Sequence, residues 1–209
     1  MSKLGKMHTT RSHPWHGIGI GEDAPNMVNS YIETVPTDTV KYEIDKESGF
    51  LKVDRPQKYS NICPTLYGFI PQTYCGLKSA QHCIEKTGRK EVVGDDDPLD
   101  ICVLTEKTIS HGDILVRAFP VGGFRMIDRG QADDKIIPVM HGDGLYSDWK
   151  DISDCPKGFI DRLKHYFLTY KDLPGTTDPM CEIEDIYDRK EAINVICKAQ
   201  EDYRGKFLI

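Results

Sequence analysis

The sequence predicts an α+β fold, and three observations carry that prediction. Between Asn29 and Met140 the apolar residues fall into short β-type runs separated by Gly and Asp; beyond Pro156 the spacing becomes helical; and no Pro/Gly/Ser linker divides the 209 residues. Strands first and helices afterwards argue against alternating βαβ units. One hydrophobic core can organise a chain of this length, so residues 1–209 read as a single domain.

Residues 1–28 mix Gly, His and Pro without sustained periodicity and read as an N-terminal arm, lying over the surface or reaching a neighbouring subunit. Val40 to Ile44 alternates, which puts Val40, Tyr42 and Ile44 on a core-facing side and Lys41, Glu43 and Asp45 on an ionic one. Asp54-Arg55 ends the next short strand, and Arg is the side chain best matched to phosphate oxygens. Residues 74–94, polar and rich in Lys, Gln and Gly, read as an insertion, a loop or short helix. Ile101 to Leu104, Ile114 to Val121, Gly123 to Ile127 and Lys135 to Met140 are further strand runs, closely spaced as in a barrel or sandwich. Phe159, Ile160, Leu163, Phe167 and Tyr170 share one helical stripe, and Ala192, Ile193, Ile196 and Ala199 mark a second C-terminal helix.

Composition excludes several classes of function. With 27 Lys and Arg against 33 Asp and Glu, the net charge of -6 gives no general attraction to nucleic acid or to an anionic membrane. No signal-peptide core is present, and nowhere do about 18 apolar residues run together, so a soluble, cytoplasmic protein is expected. The seven cysteines are scattered without a CxxC pair and read as reduced thiols. His13-Pro14-Trp15-His16 lacks metal-ligand spacing, and Gly17 to Gly21 follows no strand and has no P-loop character.

The chemistry concentrates in Gly94-Asp95-Asp96-Asp97-Pro98-Leu99-Asp100, where four carboxylates precede an apolar strand. Pro98 has a fixed φ and no N–H, so the acids occupy a rigid turn at the mouth of that strand. Carboxylates this close repel unless cations lie between them, and hard oxygen donors suit Mg2+ or Mn2+. A calcium loop does not fit, because Asp100 stands where the EF-hand turn needs Gly. Asp128 to Lys135 supplies a second acidic turn, with Asp133, Asp134 and a lysine, between two predicted strands.

These residues resemble the soluble family I inorganic pyrophosphatases. Asp95-Asp96-Asp97-Pro98-Leu99-Asp100-Ile101 is similar to the family signature, and Lys41-Tyr42-Glu43, Asp54-Arg55, Tyr67-Gly68, Asp128, Asp133, Lys135 and Tyr170-Lys171 follow in family order. The resemblance runs from Tyr31 to Lys171 and implies a small OB-like closed β-barrel with flanking C-terminal helices. It also implies hydrolysis of pyrophosphate to two phosphates by a metal-activated bridging water, with several Mg2+ ions, in a homo-oligomer. By the same resemblance Asp95, Asp100, Asp128 and Asp133 are metal ligands, and Asp97 takes the proton of the attacking water. Lys41, Arg55, Tyr67, Lys135, Tyr170 and Lys171 then bind phosphate, while Glu33 and Glu43 are outer supporting acids.

Seven acids against four bases in this set should repel bare pyrophosphate and admit it only with its cations. Two other functions fit parts of the pattern: another metal-dependent phosphohydrolase acting on nucleoside polyphosphates, and a non-enzymatic OB-type binding module. The latter wants a basic groove with exposed aromatics, whereas the conspicuous turns here are acidic.

Overall fold

In the computed structural model, which describes residues 11–173 and 175–208, the chain forms ten strands and three α-helices. In chain order these are β1 (Val28–Thr34), β2 (Val40–Ile44), β3 (Leu51–Pro56), β4 (Leu66–Phe69), α1 (Leu77–Thr87), β5 (Val93–Gly94), β6 (Asp100–Val103), β7 (Ile114–Asp128), β8 (Gln131–Ala132), β9 (Lys135–Met140), α2 (Lys157–Thr169), β10 (Cys181–Asp188) and α3 (Arg189–Phe207). β1 pairs antiparallel with both β4 and β7; β4 pairs with β6, β6 runs parallel to β9, and β9 returns antiparallel to β7. β2 and β3 form a separate two-stranded ribbon. None of the helices described is long and apolar enough to cross a membrane.

The apolar runs of β6 and β9 arise because both faces of these strands are covered. Ile101 and Val103 pack with Ile136 and with Ala192, Val195, Ile196 and Ala199 of α3. Their neighbours Cys102, Ile137 and Val139 pack instead with Ile160, Leu163 and Phe167 of α2. A period of two in the strand thus divides its side chains between two helices whose stripes have period 3.6. Each Val, Leu, Ile or Phe among them contributes about 1.5–3 kcal/mol when fully buried.

The structure corrects four of the expectations. The runs expected as two strands, Ile114 to Val121 and Gly123 to Ile127, are one strand, β7, whose register shifts between Pro120 and Gly122. A Cβ on Gly123 would lie 2.5 Å from the Tyr187 ring, so bare backbone there admits that side chain of β10. β10 itself stands between the two C-terminal helices, so strands and helices are not segregated along the chain. On β2 only Ile44 is buried; Val40 and Tyr42 are half-buried because the ribbon stands off the main sheet.

The fourth correction is partial: of the loop or short helix expected over residues 74–94, the structure holds the helix, α1, and adds β5. α1 has no side-chain cap of its own. Asp202 of α3 replaces one, accepting from the backbone N–H groups of Gly76 (3.0 Å), Lys78 (2.9 Å) and Ser79 (2.9 Å) and from the Ser79 hydroxyl at 3.0 Å. Gly88, at φ 73°, ends the helix in the left-handed conformation that favours glycine.

The described part of the arm, residues 11–27, lies against the chain's own surface. Trp15 donates its indole N–H to the Thr73 carbonyl at 2.7 Å and packs on Tyr74 and Phe207. Residues 1–10 lie outside the described residues, and Val28 already belongs to β1.

Asp202→Ala should leave three N–H groups at the start of α1 without acceptors. The expected cost is about 1–3 kcal/mol, read from urea unfolding.

Candidate active site

The parallel register of β6 and β9 sets Asp100 beside Lys135, both on the face that α2 covers. The Lys135 ammonium, 1% exposed, donates to Asp100 Oδ2 at 2.5 Å and also to Asp133. Burial opposes its charge, but Asp100 and Asp133 outweigh that and hold its pKa well above the ordinary lysine value. Tyr67 of β4 donates its hydroxyl to the same Asp100 oxygen at 2.5 Å. Burial, then the Asp100 and Asp133 charges, push the Tyr67 pKa well up, so this phenol remains a donor.

The acidic turn is fitted against residues 75–76. A Cβ on Gly94 would meet the Cys75 carbonyl oxygen at 2.2 Å, so only glycine permits that approach. Asp96 takes a left-handed φ of 64°, which Asp tolerates better than most residues. The Cys75 N–H donates to the Asp97 carbonyl at 2.8 Å, and the Asp97 N–H to Asp95 Oδ1 at 3.0 Å. Asp95 and Asp97 consequently line the cavity, whereas Asp96 bonds to Tyr74 outside it. Burial, then the charges of Asp133 and Asp100, raise the Asp95 pKa; burial also raises those of Asp97 and Asp133.

Other elements complete the walls. Asp128 ends β7 and receives the Lys171 ammonium. Tyr170 caps the C-terminal end of α2 and stacks on Tyr166 at 5.3 Å between centroids. Across the ribbon Lys41 faces Arg55; the Lys41 ammonium lies 3.2 Å from Glu43 Oε2 and 3.4 Å from Asp54 Oδ2, and Arg55 also pairs with Asp54. Glu33 of β1 is buried and accepts the Ile44 N–H at 2.7 Å, joining the sheet to the ribbon. Its burial pushes the carboxyl up to about 8.

The residues to which the resemblance gives a role line one cavity of about 210 Å³: the acids Glu33, Glu43, Asp95, Asp97, Asp100, Asp128 and Asp133, the cations Lys41, Arg55, Lys135 and Lys171, and the phenols Tyr67 and Tyr170, whereas Asp96 and Asp134 of the two acidic turns do not. Sequence reading missed Lys46, whose ammonium pairs with the Asp97 carboxylate. Lys46 lies just past the end of β2, where a period-two argument assigns no face, and only the ribbon's return brings it over the acidic turn.

The donor set is of the kind that hard cations take: carboxylates, of which Asp95 and Asp133 have pKa values raised by burial and by neighbouring acids. Among the described residues no three Asp, Glu, His or Cys side chains are drawn together closely enough to grip one ion. Instead Lys135 lies between Asp100 and Asp133, Lys171 on Asp128 and Lys46 on Asp97. The residues therefore fit divalent cations in chemistry, with lysines supplying part of the counter-charge in this arrangement.

An α+β scaffold with a cavity in which buried carboxylates alternate with Lys, Arg and Tyr defines a protein that handles a small phosphate-like polyanion. Comparison with known proteins narrows the class: a family model described as inorganic pyrophosphatase matches residues 30–204, and the chain belongs to that family. It is 52% identical to the inorganic pyrophosphatase of Chlamydia caviae over 199 residues, covering 93% of this chain and 92% of that one. It is 33% identical to a soluble inorganic pyrophosphatase of Oryza sativa, covering 100% of this chain and 86% of the relative. Among solved structures, the inorganic pyrophosphatase of Thermus thermophilus superposes with a TM-score of 0.77 at 29% identity, covering 93% of this chain and all of that one. A truncated vacuolar soluble pyrophosphatase of Trypanosoma cruzi, in complex with PPi, superposes with a TM-score of 0.78 at 25% identity, covering 96% and 81%.

Because the folded pKa of Glu33 is raised, the native state loses stability as pH climbs from about 4.5 to about 8. Glu33→Gln keeps an oxygen for the Ile44 N–H and removes this loss. In excess chelator its melting temperature should gain on the wild type across that window and the difference should level off above it; a pH-independent difference would contradict the buried carboxylate.

Proposed function

We propose that this cavity hydrolyses inorganic pyrophosphate to two phosphates with divalent cations, Mg2+ first and Mn2+ as a substitute. The observation that carries the reading is the convergence of Asp97, four further aspartates and the Lys, Arg and Tyr donors on one cavity. Bound cations would neutralise phosphate oxygens and make a water acidic enough to attack at neutral pH. Asp95, Asp100, Asp128 and Asp133 would hold them. In this reading Asp97 accepts the proton of the attacking water, and the Lys46 ammonium beside it partly offsets the rise in pKa that burial gives that carboxylate.

On the substrate side, Lys41, Arg55 and Lys171 bind phosphate oxygens as cations, and Tyr67 and Tyr170, protonated by burial, as neutral donors. Lys135 is fixed between two carboxylates, so its charge is already in place and a phosphate reaches it by displacing one of them. Glu33 and Glu43 act from the ribbon side, keeping Lys41 and the ribbon in place. The rings of Tyr67 and Tyr170 pack on Phe167 and Tyr166, which leaves their hydroxyls as the groups offered to phosphate oxygens.

We also read the succession β1, β4, β6, β9, β7 and back to β1 as a small closed OB-like barrel. Its support is that each of the five pairings is hydrogen-bonded.

The test is phosphate release from pyrophosphate with and without Mg2+, beside ATP. Rapid release that needs Mg2+ and favours pyrophosphate is expected; release undiminished by excess chelator, or a preference for ATP, would overturn the reading. Asp97→Asn should lower turnover by a factor of about 10² to 10⁴ with the fold intact by circular dichroism.

A further inference from the structure

Behind the cavity lies a second set of charges that the proposed chemistry does not use. Asp134 stands between Asp133 and Lys135, which both face the cavity, and it bonds on the opposite side. Its Oδ2 lies 3.0 Å from Nη1 of Arg125, a β7 side chain 2% exposed, and accepts the Tyr187 hydroxyl at 3.2 Å. The Arg125 guanidinium reaches on to Glu191 Oε1 of α3 at 2.5 Å and rests 5.0 Å from the Tyr187 ring centroid. Glu191 in turn holds His82 Nε2 at 2.7 Å and the Lys86 ammonium at 3.2 Å, both from α1.

Stability alone does not account for this array. A buried ion pair is commonly no better than apolar side chains of the same volume. Arg125 Nε is buried without a hydrogen-bond partner among the described residues, so the array is not fully satisfied from within. Its placement gives it another use. The Asp133 N–H donates to the Met126 carbonyl at 3.0 Å, so Asp133, Asp134 and Lys135 are held to β7 beside Arg125. Asp134 is the one side chain of that segment anchored on the far face. A shift of Asp134 would carry Asp133 and Lys135 with it, and the Lys135 ammonium would leave its place between Asp100 and Asp133.

We propose that Arg125 and Asp134 form a positioning pair for the active site: clamped from behind by Glu191 and α1, they fix Asp133 and Lys135 for cation and phosphate binding. The inference rests on the pyrophosphatase reading for what Asp133 and Lys135 bind. It gives the segment 74–94 a part in the site, through His82 and Lys86 on Glu191.

Two variants test the pair. Asp134→Asn keeps the shape and the Tyr187 contact but loses the charge; Arg125→Met combined with Asp134→Asn removes the ion pair without leaving a lone buried charge. Two readouts are taken well below each melting temperature: pyrophosphate turnover, and Mn2+ binding without substrate by electron paramagnetic resonance. Loss of an outer partner of a site residue predicts Mn2+ binding weakened about 10- to 100-fold, with kcat lowered in similar proportion. KM for pyrophosphate should change much less than kcat. Wild-type Mn2+ affinity and kcat in both variants, with only the melting temperature moved, would overturn the proposal. If the wild type does not hydrolyse pyrophosphate yet Asp134→Asn weakens Mn2+ binding, the activity reading fails and the positioning pair stands.

Discussion

Crowded carboxylates in a poorly solvated cavity must be given counter-charge, and that constraint organises this structure. Asp95, Asp97, Asp100, Asp128 and Asp133 come from two turns and two strand ends, and each added acid makes its neighbours harder to ionise. The chain answers with a lysine at each place it can reach. Lys135 comes from the strand beside Asp100, Lys171 from the end of α2, and Lys46 from the tip of the ribbon. Sheet, helix and ribbon each bring part of the counter-charge. A substrate that is itself a polyanion can enter only by rearranging those pairs, which couples its binding to cations brought from solution.

The rigid and adjustable parts of the site are divided accordingly. Asp100, Tyr67 and Lys135 sit on strands whose other residues are buried on both faces, so their places follow from the packing of the core. Lys41, Arg55 and Lys46 sit on or beside a two-stranded ribbon whose Val53 is exposed and whose hold on the main sheet includes the Glu33 to Ile44 bond. Two strands alone are marginal in water, so this wall is the one with freedom to follow a ligand.

Much of the site was legible in the sequence because its chemistry is local. Asp95, Asp97 and Asp100 lie within one turn, and the apolar run after them announces the strand that anchors them. Lys135 to Met140 was bounded correctly because a strand covered on both faces leaves a continuous apolar signature. What escaped the reading was set by distant partners. α1 is too polar to declare a buried stripe and takes its cap from Asp202, 123 residues away from Ser79. β10 alternates only weakly, with Cys181 and Tyr187 its buried residues, since it pairs along one side of β7. Lys46 and the Arg125 to Asp134 pair carry no periodic signal; the return of the ribbon brings Lys46 to the acidic turn, and the pairing of β7 with β9 sets Arg125 near Asp134.

The borrowed cap on α1 has a consequence for how the chain is made. Asp202 stands in the last turns of α3, and the Tyr74 N–H likewise bonds to the Ala199 carbonyl at 2.9 Å. Residues 74–76, against which the acidic turn is laid, therefore lack these two supports until α3 has been made. A nascent chain arrested before residue 199 would already carry every cavity aspartate while lacking the brace behind them. During translation the cavity acids are therefore synthesised before the α3 contacts that brace the segment they are laid against.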